Sequence, residues 1–470
     1  MRKSYFSISI LLLLLSANAV IAGNGKIRHN NKPVPGDYIV KLSSSLSPGD
    51  VQRLADRFAS AHHGHIKFVY GKVLPGFAIS GITDAEARKI SADPLVDLVE
   101  EDTIVTAAAV PVQSPAPWHL DRLDQRQLPL DGNYYQDCAI TRDAVIYIVD
   151  SGVRASHQEF WTSSTDHTSR VLPGHQLSAF DPLFGTAEDP CDYYTACDWS
   201  CLLGGHGTAV ASVAAGLTYG VAKTAKIVPV RVLDCAGRGQ LSQVIEGLSW
   251  IDSNPLPEHG VVNMSFTYAD SDGQTGAFES AIDTLVNSDN LTVVVAAGNF
   301  GTSVDHITPA RHSRANGGTV ITVGGTNNQD HPWKCNSANS WEDCDPINTV
   351  GTDWGPGIDI FAPSQNISSA SIRDPATGLF SDTMERQQAR SGTSFAAPMV
   401  AGLAARYLQT TGLVNPTPAQ VWSYIQGVAS GDSPSTPPAV LSDGTDANSG
   451  ALNGSPNRLV YGPFATRCNN

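Results

Sequence analysis

Ala144-Val145-Ile146-Tyr147-Ile148-Val149-Asp150-Ser151-Gly152 is an unbroken apolar run closed by a carboxylate and a turn. A strand with one wet face would alternate polar and apolar residues. This one does not, so it predicts a strand buried on both faces, as in a parallel sheet. Asp150 then stands at the carboxyl edge, where open α/β sheets build their ligand sites. Five further short runs share the character: Ile227–Val232, Val261–Phe266, Val293–Ala297, Thr319–Val323 and Ile358–Phe361. Helical stretches at Thr208–Leu217, Leu241–Ile251, Gly276–Val286 and Ser394–Leu408 separate or follow them. The alternation predicts a doubly wound, mostly parallel α/β domain over residues 118–470.

The chain ahead of that domain reads differently. Arg2 and Lys3 precede the short apolar run Ile8–Leu15, and small residues follow at Ala17, Ala19 and Ala22. This is the pattern of a secretory signal peptide over residues 1–22. The run is too short to span a bilayer, which takes about 20 apolar residues. Residues 36–105 give strand, helix, two strands, helix and strand, the order of a ferredoxin-like α+β module. A helix over Ser47–Ala61 and one over Thr83–Ala92, the latter opening on a capping-box pattern, supply its two helices. Residues 106–117 (TAAAVPVQSPAP) are small and uncharged, the composition of a linker open to cleavage.

With 470 residues, 41% apolar and 16% charged, the chain has material for a sizeable core. Residues 107–470 carry 18 basic and 35 acidic side chains, a net −17. That charge disfavours nucleic acid and anionic membranes as partners. All eight cysteines lie in the same part, and an even number in an exported chain predicts disulfides. Cys335 and Cys344, as near neighbours, are the first pairing to expect. No coiled-coil pattern is present, so a monomer is expected.

Four segments stand at the right junctions for chemistry. They are Asp150-Ser151-Gly152, Gly205-His206-Gly207-Thr208, Ala296-Ala297-Gly298-Asn299, and Ser391-Gly392-Thr393-Ser394-Phe395-Ala396-Ala397-Pro398. Each alone reads as a turn or a helix cap. Together they supply a nucleophile, a base, a carboxylate and an amide donor. A serine hydroxyl needs an adjacent base, which assigns Ser394 and His206. The base needs a buried carboxylate to fix its tautomer, which assigns Asp150. A tetrahedral oxyanion needs donors, which the Asn299 amide and the Ser394 backbone N–H would supply.

These motifs resemble the subtilase family, most closely its proteinase K branch. The likeness runs over residues 36–464 and includes Trp118-His119-Leu120-Asp121-Arg122-Leu123-Asp124-Gln125. It implies a secreted serine endopeptidase acting through an acyl-enzyme on protein or peptide substrates. It also implies that residues 36–105 are a prosegment that assists folding, is cut away by the enzyme itself and inhibits it. Substrate-binding edges would be Gly237, Gly239 and Leu241 on one side and Ser265, Phe266 and Thr267 on the other. Ala296, Ala297 and Gly298 would line the P1 pocket. The usual Ser-Leu-Gly-Gly reads Ser265-Phe266-Thr267-Tyr268, so bulk is expected in the cleft where two glycines are missing. That departure keeps a second reading, a catalytically impaired binding protein of the same fold. Asp359 resembles a position that helps hold a structural calcium. His157, in Ser156-His157-Gln158-Glu159-Phe160, reads as structural rather than as the base. Asn263, a glycosylation sequon in a buried strand, is expected to stay unmodified.

Overall fold

A computed structural model describes residues 26–30, 33–43, 46–71, 74–103, 112–135, 140–176, 205–234, 237–256, 259–270, 276–335, 351–371, 387–430, 452 and 454–462. The chain divides into two compact units, Met1–Ala108 and Ala109–Asn470. The signal-peptide residues lie outside the described ones.

The first unit contains β1 (Ile27–Arg28), β2 (Pro33–Leu42), α1 (Pro48–His62), β3 (His65–Tyr70), β4 (Gly76–Ser80), α2 (Asp84–Ser91) and β5 (Val96–Thr103). Its sheet has the order β1-β5-β2-β4-β3, and every pairing is antiparallel except β1 with β5. That is the ferredoxin-like module expected, with one short edge strand added. Ser47 and Asp50 close a reciprocal capping box on α1, which buries Val51, Ala55 and Phe58. At α2 only half of the expected box forms. Thr83 Oγ1 accepts from Glu86 N–H, while the Glu86 carboxylate turns to His62 and Lys89.

The second unit opens with β6 (Val112–Gln113), α3 (Trp118–Leu123) and β7 (Tyr134–Tyr135), β6 and β7 pairing antiparallel. Residues 112–117, expected to be linker, are therefore built into this unit. Gln113 Nε2 donates to Thr218 O and Ala116 N–H to Gly132 O. Short uncharged residues hide this from a compositional reading, because the pairing is with a segment some twenty positions away. Then follow β8 (Ala144–Asp150), β9 (His175–Gln176), α4 (His206–Ala215), β10 (Lys226–Arg231), α5 (Leu241–Ser253), β11 (His259–Met264), β12 (Tyr268–Ala269), α6 (Ala277–Asn287), β13 (Thr292–Ala296), β14 (Ile307–Thr308), β15 (Ile321–Thr326), β16 (Ile360–Pro363), β17 (Ile367–Ala370), β18 (Gln387–Arg390), α7 (Thr393–Thr410) and α8 (Pro418–Ser430).

Seven strands form one parallel sheet in the order β16-β15-β13-β11-β8-β10-β9. All seven residues of β8 are buried, as its sequence predicts. Its side chains serve two cores by alternation. Ile146 and Ile148 join the core of α4, α7 and α8, including Val213, Met399 and Leu403. Val145, Tyr147 and Val149 join the opposite core with Leu248, Phe278 and Ile282 of α5 and α6. From β8 the chain passes to β9 and then β10 on one side and returns to β11 on the other. That reversal opens a crevice at the carboxyl ends of β8 and β11. The doubly wound fold is the expected one. The antiparallel pair β17–β18 and α8 were not among the expected elements, although Val421, Ile425, Val428 and Ala429 give α8 a buried helical stripe.

Candidate active site

Asp150 ends β8 fully buried. Oδ1 lies 2.8 Å and Oδ2 3.0 Å from His206 Nδ1, and Ser151 N–H donates to Oδ1 at 2.7 Å. A carboxylate on Nδ1 fixes the tautomer that leaves Nε2 able to accept a proton.

His206 is the first residue of α4, preceded by Gly205 in the left-handed region at φ 74°. Gly207 explains the second glycine of the motif. A Cβ there would be driven into the carbonyl oxygen of Gly152 and against Asp150 Cβ. Gly207 N–H instead donates to Ser151 Oγ at 3.0 Å. The glycine lets the helix start close enough to β8 for the imidazole and carboxylate to meet. The far side of the His206 ring meets Phe395 edge-on at 6.0 Å.

Ser394 is the second residue of α7, half-buried, and directly precedes Phe395. Its Oγ donates to Ser265 O at 3.1 Å, and Ser265 Oγ donates back to Ser394 O at 2.9 Å. Backbone N–H groups in a first helical turn have no intrahelical acceptor. Asn299 is held with one orientation: its Oδ1 accepts from both Thr393 N–H and Thr393 Oγ1, each at 2.9 Å. Thr393 Oγ1 accepts in turn from Gly298 N–H at 3.1 Å. With the amide oxygen committed, the Nδ2 group is the end left to donate.

Residues 141–459 match the model of the subtilase family. The chain belongs to the subtilase family. It is 36% identical over 449 residues, 92% of this chain and 90% of the other, to an extracellular serine proteinase of Thermus sp. (strain Rt41A). It is 29% identical to a cuticle-degrading serine protease of Arthrobotrys oligospora over 97% of this chain and 98% of that one. Among solved structures, a cold adapted subtilisin-like serine proteinase superposes with a TM-score of 0.53 at 31% identity, covering 74% of this chain and 99% of its own. This subtilase is a subtilisin-like serine peptidase.

The remaining expected residues fall into place unevenly. Ala296 ends β13, and Ala297 and Gly298 lead from it into Asn299. Gly298 has φ 115°. Ser265, Phe266 and Thr267 follow β11 beside Ser394, and Gly237, Gly239 and Leu241 form a loop running into α5. Of the bulk expected there, the two aromatic rings turn onto α6. Phe266 and Tyr268 both pack on Phe278, at 6.4 Å, so they share one side of the backbone. In an extended chain Thr267 then faces the other way. Tyr268 and Ala269 are already paired with Thr308 and Ile307.

His157 is buried, with Nδ1 accepting from Glu159 N–H at 3.2 Å, a capping role. Asn263 is fully buried in β11. Cys335 is disulfide-bonded, and the other seven cysteines, Cys344 among them, lie outside the described residues.

Asp359 does not fit a calcium ligand. Its carboxylate accepts from Ala315 N–H and Thr322 N–H, each at 2.8 Å. The guanidiniums of Arg314 and Arg458 are its charged neighbours. Calcium wants six to eight oxygens, and this carboxylate is surrounded by donors and cations instead. It also precedes β16, at the amino edge of the sheet. Burial pushes it up to about 6 in spite of those donors.

Proposed function

We propose that this chain is a secreted serine endopeptidase, of the proteinase K-like kind, made with an N-terminal prosegment that it removes itself. The observation carrying the reading is the buried Asp150 carboxylate on His206 Nδ1, with Ser394 opening α7 one residue before Phe395, whose ring meets the same imidazole. Asp150, His206 and Ser394 act as carboxylate, base and nucleophile. As substrate enters, Ser394 Oγ turns from Ser265 O to His206 Nε2, gives up its proton and bonds to the scissile carbonyl carbon. The carbonyl oxygen becomes an oxyanion, received by Asn299 Nδ2 and Ser394 N–H at the positive end of α7. His206 then protonates the leaving amine, and water repeats the sequence on the acyl-enzyme. Substrate lies as an added strand along Gly237–Leu241 and Ser265–Thr267.

The relatives named above are called extracellular or cuticle-degrading, which supports export and protein substrates. The separate 36–105 module supports a prosegment that inhibits in its uncut or bound form. The pairing of Val112–Gln113 with Tyr134–Tyr135 favours a cut ahead of Val112. Monomeric behaviour is part of the proposal.

A structural calcium has a better fit on the loop of Asp121, Asp124 and Asp131 than at Asp359. These carboxylates repel one another, and Asp124 Oδ1 is buried with no hydrogen-bond partner. As they stand, no three His, Cys, Asp or Glu side chains among the described residues are grouped to hold a metal, so the loop would close around the ion. No catalytic step depends on it.

The test compares secreted wild type with Ser394→Ala. Wild type beginning within residues 104–112 beside an uncut mutant supports self-processing by this serine. Identical trimming in both, with binding but no turnover of peptides, would favour the impaired binding protein.

A further inference from the structure

A carboxylate that the sequence motifs do not single out brackets the proposed oxyanion donor. Asp353 is fully buried in a strap, residues 351–354, that lies along the turn 298–302. Its Oδ1 accepts from Phe300 N–H and Thr302 N–H, both at 2.9 Å. Its own N–H donates to Gly298 O at 2.9 Å. The strap continues the clamp on either side. Gly351 N–H donates to Asn299 O at 3.3 Å, Gly301 N–H to Gly351 O at 3.1 Å, and Trp354 N–H to Thr302 O at 2.9 Å. Trp354 Nε1 closes it on Gly301 O at 2.9 Å.

The other oxygen, Oδ2, lies against Gly298, where any Cβ would be driven into it. That oxygen is buried and has no hydrogen-bond partner. Burial pushes the carboxyl up to about 7 although the Thr302, Phe300 and Gly301 N–H groups pull it down. A buried, half-satisfied carboxylate is costly. Packing alone would be better served by an apolar side chain, so the group is retained for what its Oδ1 holds. Oδ1 holds Phe300 and Thr302, just after Asn299, while the Asp353 backbone N–H holds Gly298 before it.

We propose that Asp353 is a positioning residue for the oxyanion hole, fixing the turn on both sides of Asn299 so that Nδ2 meets the developing oxyanion. Thr393 sets the rotation of the amide, and Asp353 sets where the backbone carries it. The inference rests on the peptidase reading. A misplacement of about 1 Å can cost about 10²-fold in rate, so the clamp is worth that much in turnover.

The experiment measures kcat, KM and two inhibition constants for wild type, Asp353→Ala and Asp353→Asn. One inhibitor is a peptide aldehyde, whose adduct with Ser394 carries the oxyanion. The other is the matching peptide acid, which forms no adduct. Asp353→Ala should lose about 10²-fold in kcat and in aldehyde affinity, with KM and peptide-acid affinity unchanged. Asp353→Asn keeps one acceptor oxygen and should recover most of the loss. In an Asn299→Ala background, Asp353→Ala should add little, since the donor it positions is gone. Equal losses in both backgrounds, a parallel loss of peptide-acid binding, or unchanged kcat would overturn the proposal. If Asp353→Ala does not fold, Asp353→Leu, which keeps the branched shape without an acceptor, carries the test through the same split between the two inhibitors. An inactive wild type would instead sink the peptidase reading itself.

Discussion

Both oxygens of the Asp150 carboxylate face one atom, Nδ1 of His206, at 2.8 and 3.0 Å. The pair lies where the sheet reverses direction, with the carboxylate fully buried and the imidazole reaching the crevice. An amide in place of the carboxylate would keep the shape and lose the tautomer. Asp150→Asn should lower kcat by about 10⁴-fold with little change in KM. Steady-state kinetics on a peptide anilide checks this, and near-wild-type turnover would remove Asp150 from the mechanism.

Asn299 donates through Nδ2, whose direction Thr393 sets by holding Oδ1. Asn299→Ala should lower kcat by about 10² to 10³ while leaving KM in place. The same assay decides. A rise in KM alone would make Asn299 a substrate-binding residue rather than an oxyanion donor.

Gly207 lies where α4 meets β8. Adding a Cβ forces the helix off the Gly152 carbonyl, a strain of about 1 to 3 kcal/mol by analogy with overpacked cores. Gly207→Ala should therefore melt several degrees lower and separate His206 from Asp150. Thermal unfolding in a Ser394→Ala background avoids self-digestion, and an unchanged midpoint would contradict the close approach.

Lys223 is half-buried with its ammonium on Leu217 O and Thr218 O, and desolvation pushes it down to about 7. The unfolded side chain keeps its proton up to 10.5. Below about 7 both states are protonated, and the fold carries a partly desolvated charge. Between about 7 and 10.5 the unfolded state binds more protons, so stability from this group rises with pH. The slope is on the order of 1 kcal/mol per pH unit. Lys223→Met should flatten the rise in unfolding free energy above pH 7, measured in denaturant at several pH values. A curve parallel to wild type would exclude the assignment.

Calcium at the Asp121–Asp131 loop would stabilise the folded unit by mass action, about 3 kcal/mol at a hundredfold excess over Kd. A chelator should lower the melting midpoint of wild type and leave that of Asp124→Asn unmoved. Equal sensitivity in both would place any calcium elsewhere.

Much of the site was legible because its motifs are local. A buried run ending in Asp150, two glycines around His206, and small residues opening α7 each imprint their geometry on consecutive positions. Asp353 left no such mark. Its partners are backbone N–H groups fifty-three residues away, and backbone groups carry no sequence signature. Asp359 misled for a related reason. Whether an acid faces calcium or N–H donors depends on which loop packs over it, here Ala315 and Thr322. Tyr268 predicted a crowded cleft, yet its ring found Phe278.

By itself the sequence determined the order of strands and helices, the two-faced burial of the central strand, and the four junctions that hold reactive groups. Those follow from periodicity and from residues with few conformational options. The tertiary structure alone decided which junctions meet, which way the aromatic side chains of the cleft edge turn, and which carboxylates face donors rather than cations. Such outcomes depend on packing between segments far apart in the chain, where the energy of a contact belongs to two places at once.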